Sequence, residues 1–189
     1  MADDERWVGR LLVATPRLEH PTFRRTVILL LDHADGGAFG VVVNRPLEVD
    51  VAAVLPAWQP WVSAPRYLFQ GGPVGLDSAL GVVAVPSAPG GRTPVGVDRV
   101  VASFGLLDLD LEPADVVAQV PDLRIFAGYA GWSAGQLEEE VAEGSWWVLD
   151  ARPEDPFAAD PQELWHRVLR RQPSDLALYS TWPDDLTLN

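Results

Sequence analysis

The chain has 189 residues, 48% of them hydrophobic and eight of them tryptophan, which is enough apolar material for one sizeable core without crosslinks. It contains no cysteine, which excludes a disulfide framework, a thiol nucleophile and a zinc-thiolate site built from this chain. With 14 basic residues against 27 acidic ones, the net charge of −13 repels a phosphate backbone unless the cations are concentrated on one face, so direct nucleic-acid binding is disfavoured.

The acidic N-terminal stretch MADDERWVGRLLVATP lacks the apolar core of an export signal, and the longest aliphatic runs, Val27 to Leu31 and Val41 to Val43, are strand-sized. No membrane span is expected, and the cytoplasm is the expected location. There is no lysine; every strong base is arginine, a skew that codon bias in a high-GC genome explains and that leaves only forked guanidinium groups for any anion clamp.

Residues 25–47 predict a β-hairpin around Ala34-Asp35-Gly36-Gly37, its first strand central and buried on both faces, with Arg24 and Arg25 at the entrance. Asp50 is expected to cap a short helix over Val51 to Leu55, ahead of a proline-punctuated loop carrying Trp58 and Trp61. Strands are predicted at Tyr67 to Phe69 and Gly81 to Pro86, a flexible loop between Ser87 and Pro94, and a further strand from Arg99 to Phe104. A helix follows over Pro113 to Val120, started by its proline. Strands at Arg124 to Ala127 and Ser145 to Leu149 bracket the most unusual segment, FAGYAGWSAGQLEEEVAEGSWW. The last helix is expected to begin at Asp160-Pro161, with Glu163 completing a capping box and Leu164, Trp165, Val168 and Leu169 forming its apolar stripe. The tail from Asp175 reads as partly extended and partly disordered. No repeat and no linker divides the chain, which predicts one α+β domain over residues 1–189 with a mixed, mainly antiparallel sheet, residues 1–6 and about 175–189 being peripheral.

The glycines at 128, 131 and 135 invite comparison with a phosphate loop, but their spacing matches neither the dinucleotide nor the P-loop pattern, and three consecutive glutamates follow. Ser133-Ala134-Gly135-Gln136 instead has the form of a capping box, so the segment reads as a capped strand-to-helix turn presenting Tyr129 and Trp132. The glutamates Glu138, Glu139 and Glu140 then read as a solvated helix face.

Five stretches resemble, in order, the AlgH/YqgE family of bacterial proteins: Leu11 to Pro16, Phe23 to Val27, Gly37 to Pro46, Gln70 to Val74 and Gly128 to Glu138. The resemblance covers nearly the whole chain. It implies an α+β fold in which a bifurcated sheet with a small barrel-like part is surrounded by helices. It also implies a role in transcriptional regulation, attached to the family by name more than by mechanism. His20 stands where relatives carry an acid, and Val83-Ala84-Val85 where relatives often carry a histidine, so no histidine chemistry is transferred.

Candidate site residues cluster at strand ends beside turns: Asn44, Arg45 and Pro46; Gly71, Gly72 and Pro73; and Gly128, Tyr129, Gly131, Trp132 and Gln136. The first reading is a non-enzymatic binding or regulatory protein in which these turns form one surface for an unknown protein or small-molecule partner. A second is an enzyme on a small anionic substrate, with Arg45 as clamp and Asn44 or Gln136 as oxyanion donors. A third, direct DNA binding, is opposed by the charge. The bland alternative is that Asn44 serves its own turn and Arg45 pairs with a surface carboxylate. Three isolated histidines lack metal-ligand spacing, so no metal and no cofactor is expected. Arg167, Arg170 and Arg171, at the end of the last helix, suit its dipole or an acidic partner.

Overall fold

Val27–Ala34 (β2) and Gly37–Val42 (β3) form the expected hairpin, and Leu11–Ala14 (β1) pairs with β2 on its other side. Five consecutive residues of β2, Val27 to Leu31, are buried, as a strand between two neighbours and two layers requires. Val27, Leu29 and Leu31 enter one cluster with Leu164, Trp165 and Val168, whereas Ile28 and Leu30 enter another with Trp132, Leu137 and Trp146. The period of two thus divides one apolar run between two cores.

This computed structural model describes residues 7–86, 93–101 and 103–182. The remaining strands among them are Pro46–Asp50 (β4), Tyr67–Gln70 (β5), Val74–Ala84 (β6), Val97–Val101 (β7), Phe104–Leu107 (β8), Leu123–Ser133 (β9) and Trp146–Leu149 (β10). The helices are Pro113–Val116 (α1), Gln136–Ala142 (α2) and Leu164–Arg170 (α3), supplemented by 3-10 turns. The sheet runs β10-β1-β2-β3-β9-β6-β8-β7, with β5 and β4 branching from β9. All pairings are antiparallel except that of β5 with β9.

The fork lies on β9. One edge pairs with β6; the opposite edge pairs with β5 at Phe126 and Ala127, then with β3 from Ala130 to Ser133. At the fork the Gly71 amide donates to the Ala127 carbonyl (2.9 Å), and the Gly71 carbonyl accepts from the Val42 amide (2.8 Å). A side chain on Gly72 would run into the backbone of Tyr129, so this crossing needs a residue without Cβ.

Several local expectations are corrected. Gly128 to Ser133 is not a turn but the second half of β9, with Ala130 and Trp132 buried and Gly131 and Ser133 exposed in alternation. The period of two was masked because the buried face consists of Gly128, Ala130 and Trp132, of which only the tryptophan has a large side chain. The strand expected at Arg99 to Phe104 is two paired strands, β7 and β8, and β6 starts at Val74, before the expected Gly81. Asp50 makes no side-chain cap, and Val51–Ala53 is a single 3-10 turn. The helix expected through Val120 changes to 3-10 geometry after Val116.

The final helix begins at Leu164, without the box at Asp160 and Glu163, because tertiary burial rather than capping holds it. A helix of this length is marginal alone. Leu164, Trp165, Val168 and Leu169 are buried, at about 1.5–3 kcal/mol for each large apolar side chain. From Asp175 to Thr181 the chain forms 3-10 turns rather than an extended tail. Residues 183–189, residues 1–6 and most of the expected Ser87–Pro94 loop lie outside the described residues.

Candidate functional site

Asn44 is buried just beyond the end of β3, with both ends of its amide spent on the neighbouring chain. Its Oδ1 accepts from the Val27 amide (2.9 Å), and its Nδ2 donates to the Arg25 carbonyl (2.9 Å). It therefore braces the entrance of β2 rather than its own turn. Arg25 adopts φ 55°, a left-handed conformation costly for a residue with Cβ, and the Asn44 bond lies on the carbonyl of that same residue.

Arg45 adds a second brace: its Nη2 donates to the Arg24 carbonyl (2.6 Å). The guanidinium is half-buried, and burial lowers its pKa from the ordinary value. Among the described residues it has no carboxylate partner. Among the described residues, Arg24, Arg25, Asn44, Arg45, Pro46 and Gln162 line a cavity of about 250 Å³, and none of the six is acidic. One wall is held firmly. The Arg25 guanidinium lies 4.6 Å from the Trp165 ring centre, donates to the Trp182 carbonyl (2.9 Å) and donates to His166 Nε2 (3.2 Å), while His166 Nδ1 donates to the Ser180 carbonyl (2.8 Å).

The other candidate turns meet this region through backbone. Gln70 donates its amide to the Arg45 carbonyl (2.8 Å), and Pro46 pairs with Phe69. Gly71 and Gly72 pack on Ala127 to Ala130 at the fork, so the Asn44-Arg45-Pro46, Gly71-Gly72-Pro73 and Gly128 segments are contiguous as paired chain. Tyr129 packs edge-on against Phe39, with ring centres 5.9 Å apart.

Trp132 and Gln136 serve a different cluster. The indoles of Trp132 and Trp146 donate to the same Glu140 oxygen, Oε2, at 2.9 and 2.8 Å. Gln136 donates to Glu140 Oε1 (2.9 Å) and accepts from the Ser133 amide (3.0 Å), which realises the returning half of the capping box. Ser133 Oγ donates to the same Gln136 oxygen, and the cap position itself is taken by Gly135. The three glutamates are therefore not one solvated face. Glu138 meets buried His33 (2.7 Å), Glu140 holds the two indoles, and Glu139 is exposed.

Two charged residues that sequence reasoning passed over are buried. Arg124, 1% exposed on β9, donates to the carbonyls of Ala158 (3.1 Å), Ala64 (2.6 Å) and Ser63 (3.4 Å), and its guanidinium lies 4.1 Å from the Phe69 ring centre. Burial pushes its pKa down to about 10, opposed by the charge of Asp122. The only available signal was a lone arginine inside the apolar run Leu123 to Ala127. Asp155 is also buried and takes both nitrogens of Arg171, at 2.7 and 2.6 Å, so that arginine serves an internal ion pair.

A family model described as AlgH-like matches residues 11–177. The chain belongs to the AlgH-like family. A UPF0301 protein of Streptomyces coelicolor is 53% identical over 182 residues, covering 96% of this chain and 94% of the relative. One from Mycobacterium tuberculosis is 45% identical over 183 residues, with 96% and 90% covered. Among solved structures, a Corynebacterium diphtheriae protein superposes with a TM-score of 0.87 at 35% identity, covering 96% of this chain and 95% of the other. The solution structure of the AlgH protein from Pseudomonas aeruginosa gives 0.70 at 27% identity, with 95% of each chain covered. The AlgH-like fold is thus a single α+β domain with a curled, mainly antiparallel half-barrel sheet and few helices. Among the described residues no helix is long and apolar enough to cross a membrane.

Proposed function

We propose that this AlgH-like chain is a non-enzymatic binding protein of the cytoplasm, taking a small polar ligand in the cavity beside Asn44 and Arg45. Any effect on transcription is then indirect, through a ligand or protein partner. The observation that carries the reading is the cavity itself, lined by Arg24, Arg25, Asn44, Arg45, Pro46 and Gln162. These side chains offer hydrogen bonds and positive charge. None of the six is a carboxylate, hydroxyl or imidazole able to act as a general base, which favours binding over catalysis. Asn44, committed to Val27 and Arg25, supports the wall.

A thermal-shift screen of polar metabolites tests the reading, because a ligand of the native state raises the melting temperature by mass action. Stabilisation that disappears in Arg45→Gln is expected. Titration of labelled duplex at low and moderate salt tests the indirect role. No binding is expected at either salt concentration, and tight, salt-dependent binding would replace the proposal with a DNA-binding one.

A further inference from the structure

We propose that the cavity between residues 60–66 and the start of β9 is a second ligand site, which takes a free amino acid with an apolar side chain. This cavity and the one beside Arg45 have no described lining residue in common, so the inference stands apart from the reading above.

Size and walls set the first limits. The cavity has a volume of about 460 Å³, within the ~300–1,000 Å³ usual for small-molecule sites. Buried Val62, Val120, Leu123 and Phe157 give it an apolar lining, to which Trp61 adds an indole that is 49% exposed. Among the described residues that indole makes no hydrogen bond and no ring contact, so a stacking face and an N–H donor are both open. The walls are held from beneath. Nη2 of Arg124 donates to the carbonyls of Ser63 and Ala64, and Nη1 donates to that of Ala158, between the lining residues Phe157 and Ala159. The Ser63 amide also donates to the Leu123 carbonyl (2.8 Å). Buried Arg124 thus ties two walls to β9 before any ligand arrives, which lowers the ordering cost of binding.

Groups of both signs border this space. Asp122 Oδ1 accepts from Ser63 Oγ (2.9 Å), while Oδ2 takes no hydrogen bond among the described residues. The charge of Arg124 acts on Asp122, but its Nη donors go to carbonyls and leave Oδ2 open. An adjoining cavity of about 270 Å³ shares Asp122, Phe157 and Ala159 and adds the exposed carboxylate of Glu154. Of its other charged groups, Asp155 is spent on Arg171, and Arg167 donates to the Asp160 carbonyl (3.4 Å). Arg66 lines the larger cavity, and its guanidinium makes no hydrogen bond or ion pair among the described residues. Arg66 and Asp122 therefore face one cavity without pairing with each other. A carboxylate suits the Arg66 fork and the Trp61 N–H, and an ammonium suits Asp122 and Glu154. A ligand of one sign answers only one of these groups. An amino acid answers both, and an apolar side chain covers the lining and the Trp61 face. The net charge of −13 repels anions and attracts cations from a distance, whereas a zwitterion is selected by the local groups.

The test is calorimetric titration of the full chain with phenylalanine, 2-phenylethylamine, 3-phenylpropionate and glycine, together with backbone amide and indole N–H shifts. Phenylalanine is expected to bind and to shift the Trp61 indole and the Asp122 amide. The analogues lacking its carboxylate, its ammonium or its side chain should each bind at least about tenfold more weakly. Arg66→Gln should abolish the preference over the amine, and Asp122→Asn the preference over the acid, while Arg45→Gln, in the other cavity, leaves both intact. Arg66→Gln alters an exposed side chain and carries the comparison if Asp122→Asn fails to fold. An amine or an acid that binds as tightly as phenylalanine would overturn the proposal, as would preferences that survive both cavity variants. Phenylalanine that shifts Gln162 and leaves Trp61 and Asp122 unmoved, or that shifts nothing, would overturn it too, without touching the reading at Arg45.

Discussion

Trp132 on β9 and Trp146 on β10 cross edge-to-face, ring centres 6.0 Å apart, and both indoles donate to one oxygen of Glu140. A carboxylate oxygen can accept both bonds, whereas the amide replacing it in Glu140→Gln presents one oxygen and one competing donor. That variant is expected to lose about 1 kcal/mol, and Glu140→Ala, which strands both indole donors, about 2–4 kcal/mol. Urea midpoints followed by tryptophan fluorescence measure both. Equal, negligible losses would mean that the carboxylate is dispensable to the packing of the two rings.

Asn44→Ala removes an acceptor from the Val27 amide and a donor from the Arg25 carbonyl, and is expected to destabilise by about 2–3 kcal/mol. Asn44→Asp keeps the acceptor but sets a carboxylate against the Arg25 carbonyl, so it should cost at least as much as the alanine. A more stable aspartate variant would contradict the brace geometry.

Two glycine-to-alanine substitutions should separate close approach from backbone conformation. Gly72→Ala drives a methyl into the Tyr129 backbone at the sheet fork, so a loss above about 3 kcal/mol, or failure to fold, is expected. Gly135→Ala meets nothing within 4 Å and suffers only from its φ of +76°, which predicts a loss of about 1 kcal/mol. Similar losses at both sites would refute the fork argument.

Arg124→Met sets two terms against each other. Three carbonyls lose their donor, at about 1–3 kcal/mol for each well-made bond. A buried charge whose pKa is pushed down to about 10 is relieved, worth about 3 kcal/mol. The net loss near neutral pH should be modest, about 1–2 kcal/mol. The pH dependence carries the sign. A base with a lowered folded-state pKa holds fewer protons in the native than in the unfolded chain between about pH 10 and the ordinary arginine value, so its contribution to stability rises with pH there and is constant below. The advantage of wild type over Arg124→Met should therefore be flat through neutral pH and grow above about pH 10. A decreasing advantage in that window would contradict the burial.

The candidate segments were legible because glycine, proline and asparagine at strand ends leave a local signature. Arg45 was visible as a cation beside a turn. That it has no carboxylate partner among the described residues was not, because pairing depends on which acids the fold brings near. For the same reason Glu138, Glu139 and Glu140 looked alike in a row, although the fold gives them a histidine, open solvent and two tryptophans respectively. Arg124 and Asp155 were hidden by the rule that charges stay outside, which holds only until the chain supplies enough buried partners.

By itself the sequence determined what depends on neighbours in the chain: the β2–β3 hairpin, the central burial of β2, the apolar stripe of α3 and the ordered motifs of the AlgH-like family. The periods of strands and helices and the backbone freedom of glycine are local properties, and they survive in one dimension. Tertiary structure alone decided the fork at Gly72, the continuation of β9 through Ser133 and the gathering of three arginines around one cavity. Those depend on contacts between residues far apart in the chain, where sterics and charge act through space and leave no spacing to read.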